Sequence, residues 1–563
     1  MGNVFLEFTI IICFAALISL VFRLLKQPEI LAYILTGIII GPLGLFHLAN
    51  VEFFSALAEV GITLLLFMIG LEIRIADLSS VGKMTLIVGP AQIIFSFIIA
   101  YIISLLFGFP FLSALYIALA VTFSSTIIIV KLFSDKRELH ALYAKMSLGI
   151  LLIQDFLAIM FLIFLSGFSL KTGSFAPLNQ FGLILLKAGI LFGAIIYLSQ
   201  RIFPKITEFL AKSQETLFLA SIAWVFGLAA LVSSPSIGFS IEIGGFLAGL
   251  ALANSIASYQ IIARVKILRD FFIVIFFVLL GMQMQFSHVE KIIVPALVLS
   301  FFALVIKPFI TMLLMGDLGY RKRTSFLTGL SLGQISEFSL IMIFLGYKLG
   351  HISEDVVSLI TLVGIITFVL STYGISYSKK LYSKTNGFLN FLENKNDKRI
   401  EVISSTDSLE HLRNHVVIIG GDQMGQSILE AFDDMEIDVV VIDFDPGIYK
   451  KLESKKIHRL FGDIADLDIQ TRANLDSAKL VISTIPDLED NLLLLQELRH
   501  ENRKAKIVTM AMEGHEAKTL YKAGSDYVVL PYLAGGRQIA KILDENNLNK
   551  IKSLKEKDKA YLK

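Results

Sequence analysis

The chemistry available to this chain is concentrated in a few ionisable side chains set in apolar sequence. Gln154-Asp155 stands within LGILLIQDFLAIMFL, which puts a carboxylate about midway along an otherwise apolar helix. An ionisable group at the centre of a bilayer costs about 2.5 to 3.5 kcal/mol on insertion scales, so it needs a partner or a task. Asp155 can hold a proton or a desolvated monovalent cation but not both, and that competition couples the exchange of one for the other. The plainer alternative is a structural ion pair or a helix-packing hydrogen bond. Lys307-Pro308, in FFALVIKPFITMLL, is a cation deep within a second apolar run. It either snorkels toward the interface, pairs with Asp155, or offsets the partial negative charge of opposed helix C-termini. Glu242 and Glu337 rank below Asp155, in more polar or glycine-rich surroundings. A single Asp preceded by Gln predicts one charge moved each way, and hence electroneutral exchange.

Two further runs carry polar and helix-weakening residues at the depth where apolar ones belong. AVTFSSTIIIV holds Thr122, Ser124, Ser125 and Thr126, and TGLSLGQISEFSLIMIF holds Ser331, Gly333, Gln334, Ser336 and Glu337. Ser and Thr also serve ordinary helix packing. Two such runs at corresponding places in two halves predict broken helices in an inverted repeat, as in secondary transporters, because unwound backbone is tolerated there only where it lines a cavity or is covered by protein.

The last part of the chain offers a different chemistry. VVIIGG, VVVIDF, HRLFGD, KLVISTI, KIVTMAM and DYVVLP alternate with amphipathic segments, predicting a doubly wound parallel sheet. The first strand-to-helix turn, Gly420-Gly421-Asp422-Gln423-Met424-Gly425, parallels the dinucleotide fingerprint G-x-G-x-x-G with Asp422 at the middle glycine, where a carboxylate should repel pyrophosphate. Asp443 is placed for ribose hydroxyls, and Gly462-Asp463 for a base or ribose. A regulatory AMP, ATP or NAD(H) is one expectation, a mononucleotide fitting Asp422 better than a dinucleotide; a fold kept as a dimerisation scaffold is the other. His411, His415, His458, His500 and His515 are scattered without metal-ligand spacing and read as surface or edge residues, so neither a metal cofactor nor an enzyme is expected.

Positioning these residues requires a membrane. The chain is 55% hydrophobic and 17% charged, with charge crowded after residue 380, and its mean hydropathy is +0.73. A net charge of +2 gives no argument for nucleic acid, and the single Cys13 excludes disulfides within the chain. Thirteen apolar runs of spanning length lie near residues 4–25, 29–45, 54–73, 84–108, 110–133, 141–168, 181–200, 215–233, 237–257, 268–286, 289–315, 323–349 and 354–378. Spans one to six form the first repeat, seven the connector, and eight to thirteen the second. Basic residues gather in alternate connections, among them Arg23 and Lys26, Arg201 and Lys205, and Arg264, Lys266 and Arg269. The positive-inside rule then places the N-terminus outside and the last domain in the cytoplasm. The expected organisation is a transmembrane domain over 1–380, a polar linker over 381–412, a Rossmann-type domain over 413–545 and a Lys-rich tail over 546–563.

On these residues the chain resembles the monovalent cation:proton antiporter-2 family. KQPEILAYILTGIIIGP, the SST of span five, Gln154-Asp155, FFVLLGMQMQF and GQISEF carry the likeness, while GDI at 462–464 and AGSDYVVLP at 523–531 resemble a TrkA-N domain, the N-lobe of a regulator of potassium conductance. Their order in one chain is similar to Kef-type potassium/proton antiporters. The resemblance implies a multi-pass α-helical protein of a prokaryotic cell membrane with an elevator-like core. It further implies a homodimer in the lipid bilayer, with an ancillary regulatory subunit left open, and cytoplasmic domains that bind nucleotide and gate transport. It implies Asp155 as carrier and potassium as cation, with sodium as the alternative. Glutathione-gated members carry an acidic loop before span ten, where this chain has ARVKILRD, which argues against glutathione control. The rival from another class, a ligand-gated potassium channel, lacks a filter: Thr372-Tyr373-Gly374 is a lone partial match.

Overall fold

The computed structural model describes residues 4–44, 49–72, 83–136, 138, 141–166, 178–210, 213–234, 237, 239–255, 257–284, 289–318, 320, 322–385, 389, 412–432, 435, 437–443, 448, 452, 457–461, 464, 467–501 and 504–544. It divides into two compact units, Met1–Lys136 with Lys145–Glu393, and Arg137–Ala144 with Asn394–Lys563.

Lipid offers no hydrogen bonds to the backbone, so apolar runs must satisfy their own N–H and C=O groups as helices. The first unit is accordingly helical: α1 (Val4–Leu24), α2 (Glu29–Ile40), α3 (Val51–Glu72), α4 (Lys83–Leu106), α5 (Phe111–Thr122), α6 (Thr126–Asp135), α7 (Leu142–Ser166), α8 (Leu178–Arg201), α9 (Phe203–Leu210), α10 (Gln214–Val232), α11 (Ile241–Leu252), α12 (Ser258–Met282), α13 (Val289–Phe301), α14 (Lys307–Asp317), α15 (Lys322–Ser331), α16 (Glu337–Lys348), α17 (Glu354–Ser376) and α18 (Ser378–Thr385). Among the described residues, eight segments are long and apolar enough to cross a membrane, with Phe111–Asp135 and Glu290–Asp317 each taken as one.

Local structure departs from the sequence reading at two places in this unit. Arg264, Lys266 and Arg269 were expected in a loop but lie on α12, which begins ten residues before the apolar run. Hydropathy marks only the apolar part of a helix, whereas Arg, Lys and Leu are good helix formers and carry the helix past it. Span eleven, expected as an apolar run over 289–315, contains a π turn over Phe302–Ile306, where the Lys307 amide reaches back to the Phe302 carbonyl. Pro308, next in line, has no N–H and would crowd the carbonyl four residues earlier, and the wider turn relieves that conflict.

The helices sort into two bundles. α1–α3 pack principally with α8–α12, and α4–α6 with α13–α17. In the first bundle α2 and α12 cross backbone to backbone: a Cβ on Gly37 would lie 1.9 Å from the Val278 oxygen, and one on Gly281 2.1 Å from that of Ile34. Ion pairs join the bundles: Lys131 of α6 with Glu29 of α2 at 3.5 Å, and Lys348 of α16 with Glu59 of α3 at 2.6 Å.

The second unit is the expected doubly wound sheet. β1 (Val416–Ile419), α19 (Gln423–Glu430), β2 (Val439–Asp443), β3 (His458–Phe461), α20 (Leu467–Arg472), β4 (Leu480–Ser483), α21 (Leu488–Glu501), β5 (Lys506–Met510), α22 (Gly514–Lys522), β6 (Tyr527–Val529) and α23 (Pro531–Asp544) follow in order. All strand pairs are parallel, in the order β3-β2-β1-β4-β5-β6. β1 and β2 are buried on both faces, which is why VVII and VVVI read as continuous apolar runs. His415, expected at the surface or an edge, is instead 1% exposed, its Nε2 within 2.8 Å of the Ala473 oxygen. It is the last residue before β1, so burial of the central strand takes it inside.

Candidate functional site

Both predicted breaks are present, and they meet. α5 ends at Thr122 and Phe123 is extended (φ −78°, ψ 151°). Ser125 caps α6, its Oγ accepting the Ile128 amide at 3.2 Å. α15 ends at Ser331, and Ser336 caps α16, its Oγ accepting the Phe338 amide at 3.1 Å. Unwinding frees backbone groups that would be costly if left unpaired. The chain pairs them across the crossing. Ser124 Oγ donates to the Leu332 carbonyl at 2.9 Å, and Ser147 Oγ lies 2.7 Å from Ser331 Oγ. The helix after each break supplies an acceptor to it: Gln154 Oε1 of α7 takes the Ser124 amide at 3.0 Å, and Thr367 Oγ1 of α17 takes the Ile335 amide at 3.5 Å. α7 and α17 thus play matching roles, each holding a backbone amide of one break.

The two carboxylates attach to consecutive residues of the first break. Thr126 Oγ1 donates to Asp155 Oδ2 at 2.7 Å, and Ser125 Oγ donates to Glu337 Oε1 at 2.6 Å. Asp155 is half-buried, whereas Glu337 is buried at the first turn of α16. Thr126 opens α6, so Asp155 sits at a half-helix N-terminus, where partial positive charge favours an anion.

Lys307 is fully buried. Its ammonium donates to the carbonyls of Val121 at 3.2 Å, Phe123 at 3.3 Å and Gln334 at 2.8 Å. Of the three expectations for this lysine, the one in which it offsets helix C-termini holds. Snorkelling and pairing with Asp155 are replaced by carbonyls that unwinding left without amide partners. Gln334 Nε2 approaches the Ser125 carbonyl at 3.4 Å, while its Oε1 is buried with no hydrogen-bond partner among the described residues. Thr122 Oγ1 returns to the Ala118 carbonyl at 2.8 Å within α5. Glu242 is buried in the first turn of α11, in the other bundle, away from the crossing.

In the second unit the glycine loop has the expected turn but not the expected openings. Gly420 has φ +93°, and a Cβ on Gly425 would lie 1.9 Å from the Gly420 oxygen. The first and third glycines of the fingerprint therefore do their usual work. Asp422 caps α19, its Oδ1 accepting the Gln423 amide at 2.7 Å. Asp443 Oδ2 accepts the Gly421 amide at 2.6 Å. Met424 follows on the first turn of α19, and Gly462 and Asp463 lie outside the described residues.

Residues 10–377 match the transmembrane sodium/hydrogen exchanger family, and residues 416–531 match the TrkA-N domain. The first match alone covers more than half of the chain. The chain belongs to the sodium/hydrogen exchanger family. Among curated relatives, it is 24% identical to the putative cation/proton antiporter YbaL of Escherichia coli, over 94% of this chain and 95% of that one. It is 22% identical to the glutathione-regulated potassium-efflux system protein KefC of Klebsiella pneumoniae, over 91% of this chain and 80% of that one. Among solved structures it is similar to the sodium proton antiporter MjNhaP1 of Methanocaldococcus jannaschii, at 18% identity and a TM-score of 0.48, over 67% of this chain and 96% of that one.

The family makes this exchanger a cation/proton antiporter. Reading the sequence missed Gln92 of α4, which is fully buried. Gln92 Oε1 accepts from Gln154 Nε2, and Gln92 Nε2 donates to Ser96 Oγ at 2.8 Å. The signal available was an amide within an apolar run. It also missed Glu7 of α1, 2% exposed, whose carboxylate accepts the amides of Ala49 and Asn50 at the start of α3.

Proposed function

We propose that the exchanger moves potassium against protons by alternating access at Asp155. The observation that carries this reading is the bond between Thr126 Oγ1 and a half-exposed Asp155 beside the crossing of two broken helices. A carboxylate so placed holds a proton or a dehydrated monovalent cation in turn. The hydroxyls of Ser124, Ser125 and Thr126, the unpartnered Oε1 of Gln334 and the Glu337 carboxylate are the oxygens at hand to replace water around the cation. Both ends of the Gln154 amide are engaged, so its part is to hold the Ser124 backbone beside the site. Lys307, with three carbonyls around its Nζ, keeps the crossing together. Potassium is favoured by the relatives named for potassium efflux, and sodium is the second reading, from the family's own description.

In the same reading the thirteen apolar runs are thirteen crossings of a prokaryotic cell membrane. The N-terminus lies outside and the domain over 413–545 lies in the cytoplasm, joined to the membrane domain over 1–380 by the linker over 381–412. The bundle containing the crossing moves against the other, two copies associate, and the cytoplasmic domain gates transport through nucleotide or through contacts with the second copy. The test is proton flux in proteoliposomes, with potassium and sodium side by side at several membrane potentials. Asp155→Asn should abolish cation-dependent flux, and exchange that persists in that variant overturns the carrier assignment. A flux insensitive to potential supports electroneutral one-for-one exchange.

A further inference from the structure

We infer that the glycine loop of the cytoplasmic domain is closed to phosphate by the chain's own carboxylates, and that Asp422 is the residue that closes it. The fold family leads one to expect a dinucleotide there, its pyrophosphate resting on backbone amides at the start of α19. The residues present do not fit that group. The Gln423 amide, first of the helix, is taken by Asp422 Oδ1 at 2.7 Å. The Gly421 amide is taken by Asp443 Oδ2 at 2.6 Å. A phosphate arriving at the loop must displace one carboxylate from the helix N-terminus and lie beside a second, both of its own sign.

The rest of the loop is built as a nucleotide loop, and this singles out Asp422. Gly420 makes the tight turn at φ +93°, and Gly425 allows the helix to approach the strand. The Gly420 amide bonds to the Ile442 carbonyl at 2.8 Å, and Gln426 Nε2 bonds to the Gly421 carbonyl at 3.0 Å, so the backbone is already held in the binding shape. Asp422 itself is exposed, with φ −72° and ψ −167°, a conformation open to any residue. Its side chain is therefore not needed to shape the loop. Its cap on α19 is a role Asn fills equally and Gly nearly so. What only Asp supplies is a negative charge where the phosphate would sit. Asp443 alone does not close the site, because an acid at the end of the second strand is the usual ribose partner in this fold.

This rests on the regulatory reading of the domain and narrows it: gating operates through contacts between copies rather than through a phosphate-bearing ligand. Calorimetry on the full-length protein in detergent, with ADP, AMP and NAD as probes, tests it without reference to transport, so its failure is distinct from failure of the transport assignment. The unaltered protein should give no binding heat with any of the three at about millimolar concentration. Asp422→Gly, and Asp422→Asn as the variant that keeps the cap, should bind ADP or NAD at least about tenfold more tightly, since like charge in a contact is strongly unfavourable. Saturable binding by the unaltered protein, or no gain in either variant while both elute and melt as the parent does, overturns the inference.

Discussion

The Lys307 ammonium donates to the Gln334 carbonyl at 2.8 Å, joining the π turn of span eleven to the unwound segment of span twelve. Its other two bonds, to Val121 and Phe123, reach the first break. One side chain thus ties three interrupted elements. Replacing it with alanine leaves three buried carbonyls without donors, a loss of several kcal/mol at about 1–3 kcal/mol for each unsatisfied group. Lys307→Ala should lower the melting temperature of the detergent-solubilised protein and reduce exchange, both read on the same preparation. A variant with parental melting and parental flux contradicts the tie.

The two ion pairs between bundles give a test of relative movement. Lys348–Glu59 and Lys131–Glu29 each join a helix of the bundle holding the crossing to one of the other bundle. Alternating access by sliding must separate both. In a Cys13→Ser background, cysteines at positions 59 and 348 bridged by a short bifunctional thiol reagent should arrest exchange, while the unbridged double variant keeps transporting. Full-rate exchange in the bridged protein would rule out movement at this seam.

The TrkA-N domain has its own pH signature. Burial alone would raise Asp526, but the Ile507 amide, Lys506 at 3.0 Å and Arg499 at 2.6 Å outweigh it and hold the carboxyl at about 2, below its ordinary 3.8. A depressed carboxyl contributes stability fully present above its unfolded value, which fades as pH falls from about 4 toward about 2. Burial lowers His415 from its ordinary 6.5, with the hydrogen bond to Ala473 working against that. Its contribution is therefore present above about 6.5 and declines as pH falls below that value. Hydrogen exchange on peptides from β1 and β5 in the intact protein should show protection falling in two steps. Asp526→Asn removes the acid step and His415→Gln the near-neutral one. A single step unaffected by either variant assigns the titration elsewhere.

Legibility differed by element for identifiable reasons. The breaks at Ser124-Ser125 and Gly333-Gln334 were readable because polar residues at membrane depth are costly, and only a specific backbone need justifies them. The central strands β1 and β2 were readable because the continuous apolar runs VVII and VVVI, bounded by turns, suit a sheet covered on both faces. The π turn at Phe302–Ile306 was not. Its cause, Pro308, is visible, but a proline permits a kink, a break or a wide turn, and the sequence does not say which. His415 and the charged start of α12 were misplaced because polarity marks cost, not position.

The sequence by itself determined that the chain divides between lipid and water, that Asp155 lies in an apolar helix, that two helices are interrupted, and that Asp422 replaces a glycine of the nucleotide fingerprint. These follow from residue type and spacing, which act locally. Only the tertiary structure decided that Lys307 serves carbonyls instead of Asp155, that Gln92 steadies Gln154, and that Asp443 already holds the Gly421 amide. A hydrogen bond acts over about 3 Å. Which residues come that close, across 186 positions for Lys307 and Val121, is settled by how the helices cross.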